Sequence, residues 1–244
     1  MTVRLYQFMI SHYCERSRWN LDYKQVDFQL GNWVPGPHIR KAKKLGFKRS
    51  SVPILDYHGE RFQGSDNIAR FLEEKIPQNP LWPEDPKLAA EVDEWTQVAD
   101  KEIGIPLRAI LYGELIKYRG DVIDLWCQDN HFGNRLLCHL LFPTLKKKLT
   151  YFYKLEQRPQ HEQTLAAGLE RFDAAYSERE FLVGDRFTFA DLSFAALSAP
   201  LALPPQHQVN WTEPPPELVD FFKSHESRPA IKRTLALYRD YRGR

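Results

Sequence analysis

Ser11-His12-Tyr13-Cys14-Glu15-Arg16-Ser17-Arg18-Trp19 is the stretch on which the reading of this chain turns. Ahead of it, Val3 and Leu5 alternate with Arg4 and Tyr6, the two-residue period of a short strand. From Ser11 to Tyr23 a capping residue is followed by strong helix formers, so a helix is expected to start at Ser11. A strand that runs into a helix aims unpaired backbone N–H groups and a positive dipole end at one spot. Such a spot stabilises an anion, a thiolate included. The Ser11 hydroxyl can donate to that anion, and Cys14, inside the first helical turn, is placed for a lowered pKa of its own. Taken alone, the local pattern fits a plain N-cap and a small buried cysteine better than a reactive pair.

Outward from this segment the first eighty residues read as mixed α and β. Val26, Phe28 and Leu30 alternate as a second strand. The basic stretch Gly31 to Ser50, with Pro35 and Pro37, carries no assignable pattern. Val52 to Tyr57 reads as a third strand, His58-Gly59-Glu60 as a turn, and Arg61-Phe62-Gln63 as a short fourth strand. Ser65 caps a helix in which Ile68, Phe71, Leu72 and Ile76 recur at helical spacing. The order is β-α-β, an unassigned stretch, then β-β-α. Pro77 to Pro86 holds four prolines in ten residues, which blocks both helix continuation and sheet pairing. Beyond it, long amphipathic stretches dominate, interrupted by a second proline-rich segment from Pro204 to Pro216. The expected fold class is therefore α/β plus all-α: a first domain over 1–79, a linker over 80–86, and an all-helical domain over 87–244.

Bulk properties exclude several function classes. The chain has 244 residues with 13% aromatics, too many for wholesale disorder. A net charge of +2 provides no field that calls for nucleic acid or an acidic membrane. No run of about 18 apolar residues is present, and Met1 to Leu5 lacks a signal core, so no membrane span or secretion is expected. Three scattered cysteines, Cys14, Cys127 and Cys138, make no disulfide framework and point to a reducing, cytoplasmic setting. Cys127, His131, Cys138 and His139 match no zinc spacing, so no metal is expected. Tyr112, Tyr118 and Trp126 can line a pocket, and Tyr6 is an alternative hydroxyl near Ser11, although packing roles suit all four.

Three further motifs carry weight as an ordered set. Ser51-Val52-Pro53-Ile54-Leu55 puts a proline at a strand start, where its missing donor is tolerated. Gly64-Ser65-Asp66-Asn67-Ile68 opens a helix whose first N–H groups form an anion pocket. Thr188-Phe189-Ala190-Asp191 reads as a capping box, with Phe187 and Leu192 suited to a hydrophobic staple.

In this order the motifs resemble the cytosolic glutathione transferases. Serine-type members of that family carry Ser-x-x-x-x-Arg-x-Arg after the first strand, and cysteine-type members place Cys at the first position. Ser11 matches the activating serine and Cys14 the second cysteine of a thioredoxin-like C-x-x-C. Val52-Pro53 resembles the cis-proline strand that pairs with the cysteinyl unit of glutathione. Ser65 matches the serine that meets the γ-glutamyl carboxylate, with Gln63 and Asp66 beside it. The sequence departs from the family at His12, where many relatives have proline, and at Gly64, where an acidic or amide residue is usual. The resemblance implies a thioredoxin-like domain followed by a helical domain, with glutathione as co-substrate. It implies an enzyme that activates the glutathione thiol for attack on a small, hydrophobic electrophile in detoxification, working as a homodimer. Two alternatives stand beside it: thiol transfer or reduction through Cys14, and a non-catalytic binding module of the same fold.

Overall fold

The computed structural model of the chain describes residues 2–128, 132–209 and 214–242. Four strands and three helices build the first domain: β1 (Val3–Gln7), α1 (His12–Tyr23), β2 (Phe28–Asn32), α2 (His38–Lys44), β3 (Ile54–Tyr57), β4 (Glu60–Gln63) and α3 (Ser65–Lys75). The sheet order is β2-β1-β3-β4, with β1 and β2 parallel and the other two pairings antiparallel. This is the thioredoxin-like arrangement. The stretch without a sequence pattern contains α2, a seven-residue helix that buries only Ala42, against Trp33 and Ile54. One buried contact leaves no periodicity to read.

The rest of the chain is helical: α4 (Pro86–Val98), α5 (Ile105–Leu115), α6 (Arg119–Trp126), α7 (Phe132–Tyr153), α8 (Arg158–Glu178), α9 (Phe189–Ala202), α10 (Pro216–Glu226) and α11 (Pro229–Tyr241). A π-helical turn, Ala99–Gly104, joins α4 to α5. The second proline-rich segment lies partly outside the described residues, at 210–213. Among the described residues no helix is long and apolar enough to cross a membrane.

The largest apolar core runs through the helical domain and takes in Trp19 of α1 and Ala69 of α3. A smaller core fills the sheet, with Leu5, Leu21, Leu55, Ile68 and Leu72. Helix α9 is buried along nearly its whole length and packs on α1, α4 and α11. Its start is the predicted capping box. The Asp191 carboxylate accepts from the backbone N–H of Thr188 (3.1 Å) and Leu182 (2.9 Å), and from the hydroxyls of Thr188 (3.0 Å) and Tyr176 (3.1 Å).

Between α3 and α4 the chain is irregular and exposed over most of its length, at 77–80 and 84–86. Leu81 and Trp82 are buried in the large core. Glu73 accepts from both of their backbone N–H groups, at 2.9 and 3.0 Å, while the Leu81 carbonyl accepts from Phe189 at the start of α9 (3.0 Å). The buried Lys24 ammonium pairs with Glu73 (2.6 Å) and donates to the Ile76 carbonyl (2.8 Å). Proline prevents regular pairing, and side chains from both domains supply the missing partners.

Candidate functional site

Strand register assembles the site. Tyr6, near the end of β1, lies opposite Ile54, the first residue of β3, and Ile54 lies opposite Gln63, the last residue of β4. The loop after β1, the segment before β3 and the segment after β4 therefore share one end of the sheet. Those segments carry Ser11, Val52-Pro53 and Ser65.

Ser11 is the N-cap of α1, with extended backbone dihedrals and its Oγ accepting from the Cys14 backbone N–H at 3.4 Å. It is partly exposed, whereas Cys14 is fully buried. Burial pushes the Cys14 thiol up from its ordinary pKa, against the opposing pull of the Ser11 hydroxyl and the Arg18 charge. The direction is the reverse of the lowering that the helix start suggested. Three residues into α1 the side chain has turned away from the dipole end and into the protein, where desolvation outweighs nearby donors.

His12, at the position where proline is common in the family, points away from Ser11. Its Nδ1 lies 3.1 Å from the Leu197 carbonyl of α9, which can only accept, so this nitrogen carries the proton. Burial and the neighbouring Arg108 charge lower its pKa to about 3, so it is a neutral clamp between domains at physiological pH. Tyr6 stacks on Trp33, with centroids 4.9 Å apart, and serves as packing.

The Val52-Pro53 peptide bond is cis. The Pro53 carbonyl accepts from the Gly64 N–H at 2.9 Å, tying this turn to the start of α3. Gly64 has φ +92°, a backbone state that favours glycine. The neighbouring Gln63 is tied to the chain ahead of Val52. Its amide donates to the carbonyls of Arg49 (2.9 Å) and Ser51 (2.7 Å), holding the chain that leads into Val52.

Ser65 opens α3 and is held by Arg16, a residue to which sequence reasoning assigned no task. The buried Arg16 guanidinium donates to Ser65 Oγ (2.7 Å) and pairs with Asp66 (2.8 Å) and Asp100 (3.0 Å). Ser193 of α9 lies at 3.5 Å from the same group. Ser65 Oγ accepts from Arg16, so its own proton remains available to a further acceptor. Asp100 lies in the π-helical turn, a distortion that often marks functional positions. Burial pushes its carboxyl up to about 6, although Arg16 pulls the other way.

Tyr13 of α1 and the rings of Tyr112, Trp126 and Tyr153 make an aromatic wall that includes Arg108. Tyr13 packs its hydroxyl against Gly104, where an added Cβ would come within 2.7 Å of it. Arg108 of α5 stands over the rings of Tyr13 (5.3 Å to centroid) and Tyr153 (4.3 Å). Trp126 donates to the Tyr112 hydroxyl at 3.2 Å, and Tyr112 lies 5.4 Å from the Tyr153 ring. Tyr118 is elsewhere, with its hydroxyl on Glu217. Ile10, next to Ser11, packs against a small core that α6 and α7 form with Val34 of the first domain. Of the zinc candidates, His131 lies outside the described residues, and Cys127 and Cys138 face each other with sulfurs 3.7 Å apart. Among the described residues no group of three or more His, Cys, Asp and Glu side chains is placed to hold a metal ion.

Comparisons with known proteins agree with this layout. The model of the glutathione S-transferase N-terminal domain matches residues 5–80, and that of the C-terminal domain matches residues 143–236. No curated protein sequence matches the chain. Among solved structures, glutathione transferase GSTFuA3 from Phanerochaete chrysosporium superposes with TM-score 0.68 at 19% identity, covering 99% of this chain and 97% of that one. The β-etherase LigF from Sphingobium sp. strain SYK-6 gives 0.64 at 21%, covering 97% and 99%. Glutathione transferase F2 from Populus trichocarpa gives 0.64 at 22%, covering 98% and 93%. These likenesses show a shared fold, and with both domain models matching in order, the chain belongs to the cytosolic glutathione transferase superfamily.

Proposed function

We propose that the chain is a glutathione transferase in which Ser11, rather than Cys14, faces the glutathione sulfur. The observation that carries this reading is the convergence of Ser11, Val52-Pro53 and Ser65 at one end of the sheet, with Ser11 partly exposed and Cys14 fully buried. The residues suit the co-substrate. The start of α3 and the spare proton of Ser65 can receive a carboxylate, and the Val52 backbone can pair with an extended peptide. Glutathione supplies the thiol. Ser11 and the N-terminus of α1 favour the charged form of that thiol and so lower its pKa from the free value near 8.5. Asp66 and Asp100 hold Arg16 in place, and Arg16 orients Ser65. The aromatic wall of α5 and α7 suits a hydrophobic electrophile.

The linker over 80–86, a homodimer, a cytoplasmic setting and a detoxifying role belong to the same proposal. The domain models support glutathione as the shared co-substrate of the family. Titration calorimetry with glutathione, followed by conjugation of an aryl halide, tests the reading. Binding with conjugation supports an enzyme. Binding without conjugation supports a non-catalytic module, and conjugation that dies in Cys14→Ser but not in Ser11→Ala supports cysteine chemistry. No binding sinks the proposal.

A further inference from the structure

Arg108 is half-buried and differs from the buried guanidiniums near the site. Arg16 meets Asp66 and Asp100, Arg18 meets Glu15, and Arg242 meets Glu15 and Asp22. Among the described residues Arg108 makes no salt bridge, and its buried Nε has no hydrogen-bond acceptor. Ring faces hold it instead, those of Tyr13 and Tyr153. Its charge is felt by His12 and Tyr13 of α1, by Asp100 of the π-helical turn and by Tyr112 of α5. It therefore stands at the junction of the Ser11 segment with the aromatic wall.

A ring face attracts the guanidinium charge but leaves the in-plane N–H fork without acceptors. Buried donors in native proteins are nearly always paired, so the unpartnered, buried Nε–H of Arg108 calls for an acceptor that the chain does not supply. The fork's geometry matches the two oxygens of a carboxylate. Stacking fixes the plane of the fork before a ligand arrives, which reduces what is lost on binding. The γ-glutamyl carboxylate of glutathione belongs at Ser65 in the first domain, whereas Arg108 belongs to the helical domain, beside the rings that suit the second substrate.

We propose that Arg108 forms an anion subsite for the electrophile, and that the preferred second substrates are aromatic electrophiles carrying a carboxylate. This rests on the proposed glutathione-binding site. The test uses three glutathione conjugates that share one scaffold: S-(4-carboxybenzyl)glutathione, its methyl ester on the benzyl group, and S-benzylglutathione. Calorimetry on the unaltered protein should show the carboxylate bound about 10- to 100-fold tighter than the ester, the scale of a charge-assisted hydrogen-bonded pair. That ratio should collapse to about one in Arg108→Gln and survive in part in Arg108→Lys, which keeps the charge but not the fork. A carboxylate-to-ester ratio near one in the unaltered protein overturns the subsite, and needs no variant to fold. A ratio that persists in Arg108→Gln overturns it as well, since Arg108 then serves glutathione or the fold. If none of the three conjugates binds, the glutathione site itself fails and the subsite falls with it. If S-benzylglutathione binds and the carboxylate has no advantage, only the subsite falls.

Discussion

Arg16 reaches from the middle of α1 to donate to Ser65 Oγ at the start of α3, across 2.7 Å and 49 positions of sequence. The same guanidinium pairs with Asp66 and Asp100, so one buried cation joins the first domain to the π-helical turn of the second. Its planar fork can serve several acceptors at once, which an ammonium cannot do with the same geometry. Arg16→Lys should therefore leave Ser65 poorly oriented and weaken glutathione about 10-fold, the scale of one charge-assisted hydrogen bond. Titration calorimetry reads this directly, and an unchanged dissociation constant would show that Ser65 needs no such support.

Glu15 sets an acid limit on stability. It is buried among Arg18 (2.7 Å), Arg242 (2.8 Å) and the Tyr238 hydroxyl (3.3 Å). Burial acts to raise its carboxyl, but the charges of Arg18, Arg242 and His207 outweigh that and hold it at about 2, below the ordinary 4.5. The folded pKa lies below the unfolded one, so the contribution is full above 4.5 and is lost as pH falls from there through 2. The size is about 3 kcal/mol. Urea unfolding across pH 7 to 2 should show this loss. Glu15→Gln should be less stable at pH 7 by about 3–5 kcal/mol, because two buried guanidiniums lose their shared anion, and its acid limb should be flatter. An acid limb of the original size in Glu15→Gln would assign the effect to another carboxyl.

What could be read from sequence was whatever local chemistry dictates. Ser11 and the pair Thr188 and Asp191 announce helix starts because capping is a short-range demand. The cis Val52-Pro53 unit followed from resemblance in an ordered set. Glu15, Arg16 and Arg18 were opaque, because charges within a helix ordinarily mark a solvated face. Here α1 is wedged between the sheet and α9, and its charges are satisfied by Ser65, Asp100 and Arg242, as many as 227 positions away. The small core of α6 and α7 was illegible for the same reason. It closes only with Val34 and Ile10 from the other domain.

Asp191 should be structural alone. Four donors converge on its carboxylate, two of them backbone N–H groups buried in the main core. Asp191→Ala leaves several of these unpaired, for which about 3–5 kcal/mol is expected from the cost of orphaned buried donors. Denaturant midpoints measure the loss. Purified folded Asp191→Ala should still bind glutathione with little change, since Asp191 touches none of Ser11, Val52 and Ser65. A tenfold weakening of binding in folded protein would mean that the α9 start also shapes the site.

The choice between serine and cysteine chemistry turns on exposure. Ser11 sits ahead of α1 as a partly exposed residue, with its Oγ accepting a long 3.4 Å contact from the Cys14 N–H and its hydroxyl beside the Cys14 thiol. Cys14 is fully buried, and its thiol is pushed toward the neutral form. A nucleophilic cysteine needs access and thiolate character, and burial works against both here. Ser11→Ala should therefore raise the pKa of the bound glutathione thiol and cut conjugation roughly 10- to 1000-fold, the range for losing one donor to an anion at the reacting centre. The pH–rate profile should move to higher pH in this variant. Cys14→Ser should keep conjugation within about threefold and keep the original profile, because its side chain is a packing element next to Ser11. Alkylation of the native protein by iodoacetamide should leave Cys14 largely unmodified until denaturant is added, as mass spectrometry of the Cys14 peptide can show. Rapid labelling of Cys14 in the folded protein, with conjugation lost in Cys14→Ser and retained in Ser11→Ala, would reverse the assignment and make this a cysteine-dependent thiol transferase.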